Sequence, residues 1–248
     1  CESNLDFYSR RDGKLLSSYR LNSHPTCVCL ISKTEVAVCQ GDNQIVILSF
    51  KSIDELKLVK TLNVMTRFDE WHSVAKLNSS DTLVVSGWED YDSSKTCYWC
   101  VVNLTDGRVE STHMIWQGDY LNRSFLAIKD NTVYISCCSY DYTNCGVYAY
   151  DIFNPHTKQL FQYQHQELKR PWSIIVDRRN FIFVCDEGSN RIHQLTDSGQ
   201  LVTIHTVSSM PHTIFYDDQH GILYTRSYNS KVITVYKMAY SNQPGIPT

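Results

Sequence analysis

Short apolar runs alternate with polar turns along the whole chain, and the runs recur in a fixed order. Five runs hold equivalent positions in this order: 26–31, 72–77, 123–128, 172–177 and 212–217. Each is followed by a polar turn and a second apolar run, and then by a third. At 106–107 and 197–199 an Asp-Gly or Asp-Ser-Gly turn leads into a fourth run, which is a strong hairpin signal. The repeated unit is therefore predicted to be four short antiparallel strands in about 40–50 residues.

A unit of this kind cannot bury both faces of its sheet alone. Stacked radially, the units cover one another, so the pattern predicts an all-β fold, a β-propeller of four-stranded antiparallel blades. A β-sandwich gives no reason for the whole four-strand unit to recur. Before the first inner strand lie 4–9 and 13–19, which read as a third and a fourth strand. We expect a six-bladed ring whose incomplete first blade has its inner strands upstream of residue 1; the alternative is a closed five-bladed ring in which 13–19 is the outer strand of the last blade.

The repeat spacing divides the chain into one propeller domain and a short tail. The domain covers 1–240 and the polar tail covers 241–248. Within the domain we predict a partial blade at 1–20 and units at 21–66, 67–117, 118–165, 166–206 and 207–240. The stretch 51–62 is weakly compatible with a helix, and we interpret it as a linker that leads into an outer strand.

Composition narrows the function classes. The chain has 248 residues and a net charge of −3, so the whole domain has no general attraction to a polyanion. No apolar run approaches the ~18 residues of a membrane span, and no membrane partner is expected. Most of the ten cysteines lie inside apolar runs, which favours reduced structural thiols in a cytoplasmic protein. The Cys97/Cys100 pair lacks the second pair that a zinc site needs.

The stretch 170–204 carries a specific motif. It combines a proline, an apolar run that ends in Val-Asp, a second run that ends in Asp, then Asn-Arg-Ile and an Asp-Ser-Gly turn: Pro171, Val176-Asp177, Asp186, Asn190-Arg191-Ile192, Asp197 and Gly199. This pattern resembles the NHL repeat. The resemblance is partial at 210–236, where Pro211 and Tyr216-Asp217 match but Arg226 replaces the second Asp. From its chemistry, Asp186 is expected to accept hydrogen bonds from turn amides or from Arg191 and so to fix the hairpin.

As a whole, the chain resembles the NHL-type propeller at the C-terminus of tripartite-motif proteins, many of which are RING-type ubiquitin ligases. The resemblance implies a substrate- or partner-recognition propeller. It also implies that any ligase activity belongs to an N-terminal region outside these residues. We therefore expect a non-catalytic binding module without a cofactor or resident metal.

The rim that opens the inner strands is the predicted binding face. It collects cations, two tryptophans and two imidazoles, the residue types that often dominate binding energy: Thr26, Trp71, His72, Arg123, Lys169, Arg170, Trp172 and His212. For Trp172, packing between blades is the competing interpretation. The opposite rim holds Lys33, Asn78, Asp130, Arg178-Arg179 and Asp218-Gln219, and is expected to consist of solvated turns.

Three partner classes fit this rim. A protein or peptide partner is expected first. Single-stranded RNA is the first alternative, with Trp71 and Trp172 as stacking rings beside Arg123. The second alternative is a zinc site that uses His72 and His212. Such a site would resemble that of the zinc-dependent lyases that cleave peptidyl-hydroxyglycine. Arg123 at an equivalent position opposes a metal by its charge.

Overall fold

The computed structural model describes residues 3–8, 14–41, 43–52, 55–66, 69–77, 80–91, 94–118, 121–139, 144–154, 159–217, 219–227, 230 and 232–237. All regular structure within these ranges is β-strand. The same residues contain no helix that could span a membrane. The predicted tail at 241–248 lies outside the described residues.

The strands form one hairpin and five blades, each an antiparallel meander. The hairpin pairs β1 (Asn4–Tyr8) with β2 (Leu15–Arg20). Blade one contains β3 (Pro25–Ser32), β4 (Glu35–Gln40), β5 (Gln44–Ser52) and β6 (Glu55–Asn63). Blade two contains β7 (Glu70–Lys76), β8 (Thr82–Tyr91), β9 (Ser94–Asn103) and β10 (Val109–Gly118).

The remaining three blades repeat this order. Blade three contains β11 (Leu121–Lys129), β12 (Thr132–Ser139), β13 (Cys145–Asp151) and β14 (Gln159–Tyr163). Blade four contains β15 (Pro171–Val176), β16 (Ile182–Asp186), β17 (Arg191–Leu195) and β18 (Leu201–Thr206). Blade five contains β19 (Pro211–Asp217), β20 (Ile222–Ser227) and β21 (Ile233–Lys237). The inner strands β3, β7, β11, β15 and β19 lie side by side in that order.

The propeller predicted from the repeats is confirmed, and its five blades match the five-bladed alternative. That alternative is wrong where it closes the ring with the N-terminal segment, because β2 pairs with β1 and not with the last blade. The reason is the apolar face of the hairpin: Leu5, Phe7 and Tyr19 pack on blade one. The stretch 51–62 also differs from the expected linker, since β6 already begins at Glu55.

Neighbouring blades bury the faces that they turn toward each other. Between blades one and two, Ile47 packs with Trp71 and Val85; between blades two and three, Trp99 packs with Ile135. Trp71 and Trp99 are among the largest side chains that are completely buried. Each such side chain contributes about 25 cal/mol per Å² of apolar surface removed from water. The clusters therefore stabilise the ring blade by blade.

The inner strands are sheet edges, and side chains of the preceding blade satisfy part of their backbone. The backbone N–H of Ser124 donates to Nδ1 of His72 (2.9 Å), and that of Leu126 donates to the Ser73 hydroxyl (3.2 Å). The backbone N–H of Ile214 donates to the Ser173 hydroxyl (3.4 Å). An unpaired buried N–H costs about 1–3 kcal/mol, so these bonds matter for the stability of the inner ring.

The NHL-like motif residues of blade four hold its turns. Oδ1 of Asp177 accepts the backbone N–H groups of Arg179 (2.9 Å) and Phe181 (2.8 Å), which closes the turn between β15 and β16. Gly199 has φ +80°, and a Cβ built on it would lie 2.3 Å from Cδ2 of Phe161 in blade three. The turn after β17 thus needs glycine for its backbone and for the close approach of a neighbouring blade.

Replacing Gly199 by alanine is expected to lower the free energy of unfolding by about 2 kcal/mol or more, through the positive φ and the clash with Phe161. Chemical denaturation measures the change. Gly41→Ala is the matched control, because its nearest atom, Oγ of Ser23, would lie 3.8 Å away in ordinary contact. Equal losses for the two variants would contradict this account of the turn.

Candidate binding face

Successive strands of a blade run in opposite directions, so three kinds of segment share one rim of the ring. These are the starts of the inner strands, the turns between second and third strands, and the connectors between blades. We call this side the upper rim. All eight sequence-predicted site residues lie at or near it, but they differ in exposure.

Three of these residues are buried. Trp71, His72 and Trp172 are 0%, 3% and 6% exposed. Because Nδ1 of His72 accepts the Ser124 N–H, the neutral ring carries its proton on Nε2 and joins blade two to blade three. The sequence placed these side chains on an accessible rim; in the structure they fill the space between inner strands.

Trp172 packs between three blades. Its ring lies 5.3 Å from Phe125 in β11 and 4.5 Å from His212 in β19, measured between ring centroids. Its carbonyl oxygen accepts a hydrogen bond from the Ser136 hydroxyl of blade three. These contacts support the packing interpretation of Trp172. A buried tryptophan offers no face for a stacked base, so the expected RNA platform is not formed by Trp71 and Trp172.

Two further predicted residues are Thr26 and Arg123. Thr26 lines a cavity of about 70 Å³ together with His72, Glu70 and Phe125. Arg123 lies in β11, where it pairs with Cys138 across to β12, but its side chain lies outside the described residues. Among the described residues, no group of three His, Cys, Asp or Glu side chains could hold a metal ion.

A larger cavity opens on the upper rim between blades three and four. Its volume is about 410 Å³, and its lining is mostly polar: Asn144, Cys145, Gln164, His165, Gln166, Leu168 and Lys169. Lys169 was predicted from the sequence, and its neighbours were missed. The available signal was the polar connector 164–170, Gln-His-Gln-Glu-Leu-Lys-Arg, which is long for a link between two blades of this ring.

A buried carboxylate fixes this connector to blade four. Asp186 is completely buried and accepts the backbone N–H groups of Lys169 (3.0 Å) and Arg170 (2.6 Å) and the Ser189 hydroxyl. Burial disfavours the charged carboxylate, but the nearby His193 ring and the hydrogen bonds from Ser189 and the two amides outweigh it, so the pKa of Asp186 is lowered. The expectation that Asp186 accepts amides of its own hairpin turn, or Arg191, is wrong: both amides belong to the connector, the turn contributes the Ser189 hydroxyl, and Arg191 pairs with Glu167.

His193 extends this network to blade three. Its Nε2 lies 3.7 Å from Oδ2 of Asp186, and its Nδ1 lies 2.8 Å from the Tyr163 hydroxyl. With the ring proton on Nε2 toward Asp186, Nδ1 accepts from Tyr163. Burial, with the nearby charges of Asp186 and Glu167, raises the pKa of Tyr163 to about 12. The hydroxyl therefore stays protonated and remains a donor at neutral pH.

Two ion pairs flank the cavity and neutralise most of its charge. Arg170 Nη1 lies 3.2 Å from Glu187, and Arg191 pairs with Glu167. The hydrogen bond from Arg191 lowers the pKa of Glu167 although burial opposes the shift. In the described part of the chain the ammonium of Lys169, at the cavity wall, has no ion-pair partner. Lys169 thus carries the net charge of this site.

Two cysteines lie at the cavity, and one of them, Cys145, lines it. Cys138 and Cys145 face each other across β12 and β13, and their sulfur atoms are within bonding distance. The expectation of reduced thiols is therefore wrong for this pair, because directly opposed cross-strand positions bring the two sulfurs together. The other described cysteines are free, and burial raises the pKa of Cys39, Cys100 and Cys185. Such thiols are unreactive core residues.

No known protein family and no curated protein matches this chain. A protein of unknown function from Desulfotomaculum acetoxidans is 15% identical over 96% of this chain and 73% of that chain, with a TM-score of 0.71. Hydrazine synthase of Kuenenia stuttgartiensis is 11% identical over 96% of this chain and 90% of its own (TM-score 0.66). A protein of unknown function from Bacteroides caccae is 12% identical over 90% and 78% (TM-score 0.66). These likenesses support the propeller fold alone.

Replacing Asp186 by asparagine is expected to lower the free energy of unfolding by about 3 kcal/mol, because two backbone amides and a hydroxyl lose a charged acceptor. The lowered pKa adds a pH dependence. The stabilisation is complete above the unfolded-state pKa of about 3.9 and is lost as pH falls through the lower folded-state pKa.

Denaturation of both proteins at several acidic pH values tests this expectation, and the stability of the variant should fall less steeply with acid. Asp197→Asn, in the exposed turn after β17, is the control. Parallel pH profiles for the wild-type chain and Asp186→Asn would refute a charged Asp186 in the folded state.

Trp172→Ala is expected to lower the free energy of unfolding by about 3–5 kcal/mol, because it opens a cavity between three blades. Trp172→Phe should lower the free energy of unfolding much less, since it keeps a ring beside Phe125 and His212. Thermal unfolding measures both. If Trp172→Ala unfolds at the wild-type temperature, the packing interpretation is wrong.

Proposed function

We propose that this chain is a non-catalytic binding module that holds a peptide segment of a partner protein on the upper rim, over the polar cavity between blades three and four. The observation that carries the proposal is the cavity itself. It is concave, polar and built from a connector that a rigid scaffold holds in place, which is the usual setting of a recognition site.

The lining suits a peptide with an acidic residue. The side-chain amides of Gln164 and Gln166 each offer donors and an acceptor, as a peptide main chain requires. Lys169 supplies a positive charge that no described carboxylate neutralises. The flanking arginines are already committed to Glu187 and Glu167. An Asp or Glu side chain of the partner therefore has one favoured place, beside Lys169.

The network below the cavity reduces the cost of binding. Asp186 holds two connector amides, and the Arg191–Glu167 pair ties the same connector to β17. A loop that is ordered before the ligand arrives loses little conformational entropy on binding. Peptide affinity should therefore depend on the integrity of this network as well as on the side chains at the surface.

The propeller would act as the substrate-recognition part of a tripartite-motif-like ubiquitin ligase. This part of the proposal rests on the NHL-like motif of blade four, whose Asp177, Asp186 and Gly199 each hold a turn or a connector. The ligase chemistry would belong to another region of such a protein. Within this chain, binding selects the partner, and no reacting group is required.

Lys169→Glu is expected to weaken binding of an acidic peptide by tenfold or more, since it replaces attraction with repulsion, and tenfold corresponds to about 1.4 kcal/mol. The peptide is first selected from a displayed random library against the wild-type chain, and its affinity is then measured by calorimetry. Arg178→Glu is the matched control: the same change of charge, on an exposed residue of the opposite rim.

Three outcomes would contradict the proposal. Loss of binding in Arg178→Glu with none in Lys169→Glu would place the site on the opposite rim. A gel shift with single-stranded RNA that weakens steeply between two salt concentrations, without any peptide binder, would favour RNA recognition. Stoichiometric zinc in elemental analysis would favour the lyase alternative.

A further inference from the structure

Two sheet faces of the ring expose rows of apolar side chains. On blade one, Val28 and Leu30 of β3 are 47% and 63% exposed. On blade five, Phe215 is 63% exposed and Val235 is 55% exposed, and the half-buried Tyr224 lies between them on β20. Rows of this kind on paired strands are typical of surfaces that another element covers.

The burial patterns show that each of these strands is covered on one face. In β7, which lies between two blades, Trp71, His72, Ser73 and Val74 are buried in succession. In β3 and β19, exposed and covered positions alternate instead. Alternation of this kind indicates a strand with one face on the core and one face open. These two inner strands are the first and the last of the series.

Both open faces border one gap in the ring. Cys29, Ile31 and their neighbours turn one face of blade one toward blade two, so Val28 and Leu30 point away from it. Ile214, Tyr216 and Leu223 pack on blade four, so the row of Phe215 faces away from blade four. The gap therefore lies between blade five and blade one, where the inner strands β19 and β3 would otherwise be neighbours.

The hairpin fills only the outer part of this gap. Leu5 and Phe7 cover Val38 and Leu48 on the middle strands of blade one but leave β3 open. β1 pairs with β2 alone, so its other edge has unpaired backbone groups in the described structure. In the four four-stranded blades, consecutive strands pair in sequence order. The position beside β1 therefore belongs, by the same order, to a strand that runs directly into β1.

We propose that the gap seats an antiparallel pair of strands that is continuous with β1 in the same polypeptide. The strand next to β1 extends the hairpin by main-chain hydrogen bonds, and the second one takes the inner position between β19 and β3. One face of the pair packs on Val28 and Leu30, and the other packs on Phe215, Tyr224 and Val235. Both faces must be apolar, as in β15 and β16.

The test supplies such a pair from the chain itself. Residues 171–187, which contain β15 and β16, are fused directly to Cys1 of the full chain. Glu187 and residues 1–3 then form a connection to β1 as long as the turn 187–190 between β16 and β17. Hydrogen exchange of the amides at 4–8 should slow at least about tenfold. Fluorescence of a dye that binds apolar surface should fall, and the melting temperature should rise.

Matched variants of the fused copy test each face separately. In blade four, Ile174 packs toward blade three and Phe183 packs toward blade five. In the fused copy, Phe183→Asp therefore places a charge on the face toward blade one, and Ile174→Asp places a charge on the face toward blade five. Each is expected to abolish the protection of residues 4–8. If the fusion misfolds, the peptide 171–187 is added to the unfused chain, and it should displace the dye.

Three results would overturn the proposal. The first is unchanged exchange at 4–8 in a folded fusion. The second is no dye displacement by the peptide where the fusion misfolds. The third is a concentration-dependent dimer of the unfused chain in light scattering that Phe215→Asp dissolves, because a second copy would then occupy the gap. The proposal does not depend on the peptide site, since none of these measurements involves the cavity beside Lys169.

Discussion

Each blade of this propeller has two apolar faces, and only the neighbouring blades can bury both of them. That constraint explains why the largest buried side chains, such as Trp71, Trp99 and Phe183, lie between sheets. It also explains why the middle strands β4, β12 and β16 are buried along almost their whole length. Stability in such a ring accumulates from one interface to the next, and a change in one interface is felt mainly by two blades.

The candidate site depends on the same interfaces. The connector 164–170 spans blades three and four, and its conformation is set by groups from both. Tyr163 comes from the outer strand of blade three, whereas Asp186 and His193 come from blade four. A carboxylate that is completely buried requires several donors, and the connector amides supply two of them. The cavity near Lys169 is thus fixed by a network whose own stability comes from burial between blades.

The sequence predicted the fold better than the site, for a physical reason. Strand order follows from local periodicity and turn chemistry, which short segments carry by themselves. The position of His72 depends on Ser124, a residue 52 positions away, whose backbone N–H donates to the His72 ring. The cavity combines Asn144 and Cys145 with the connector 164–170, and no single segment indicates it. Lys169 was found because a cation in the polar segment before a strand is visible in the sequence. For a residue at the start of a strand, the sequence does not show whether its side chain lies on the rim or is buried between blades.

The repeats do contain a sequence signal for the hydrogen bonds at the inner edge of the ring. The second residue of each of the five recurring inner runs is small and able to donate or accept a hydrogen bond: Cys27, Ser73, Ser124, Ser173 and Thr213. Ser73 and Ser173 accept the backbone N–H of the following blade, and the Cys27 thiol lies 3.7 Å from the Ser73 hydroxyl. These side chains satisfy an edge that would otherwise be left without partners. Thr213 of β19 holds the same position but is exposed, since no described strand follows it inside the ring. The hydroxyl that serves the next blade is therefore also present in β19, the last inner strand of the series. A further inner strand in the gap would receive it from that side.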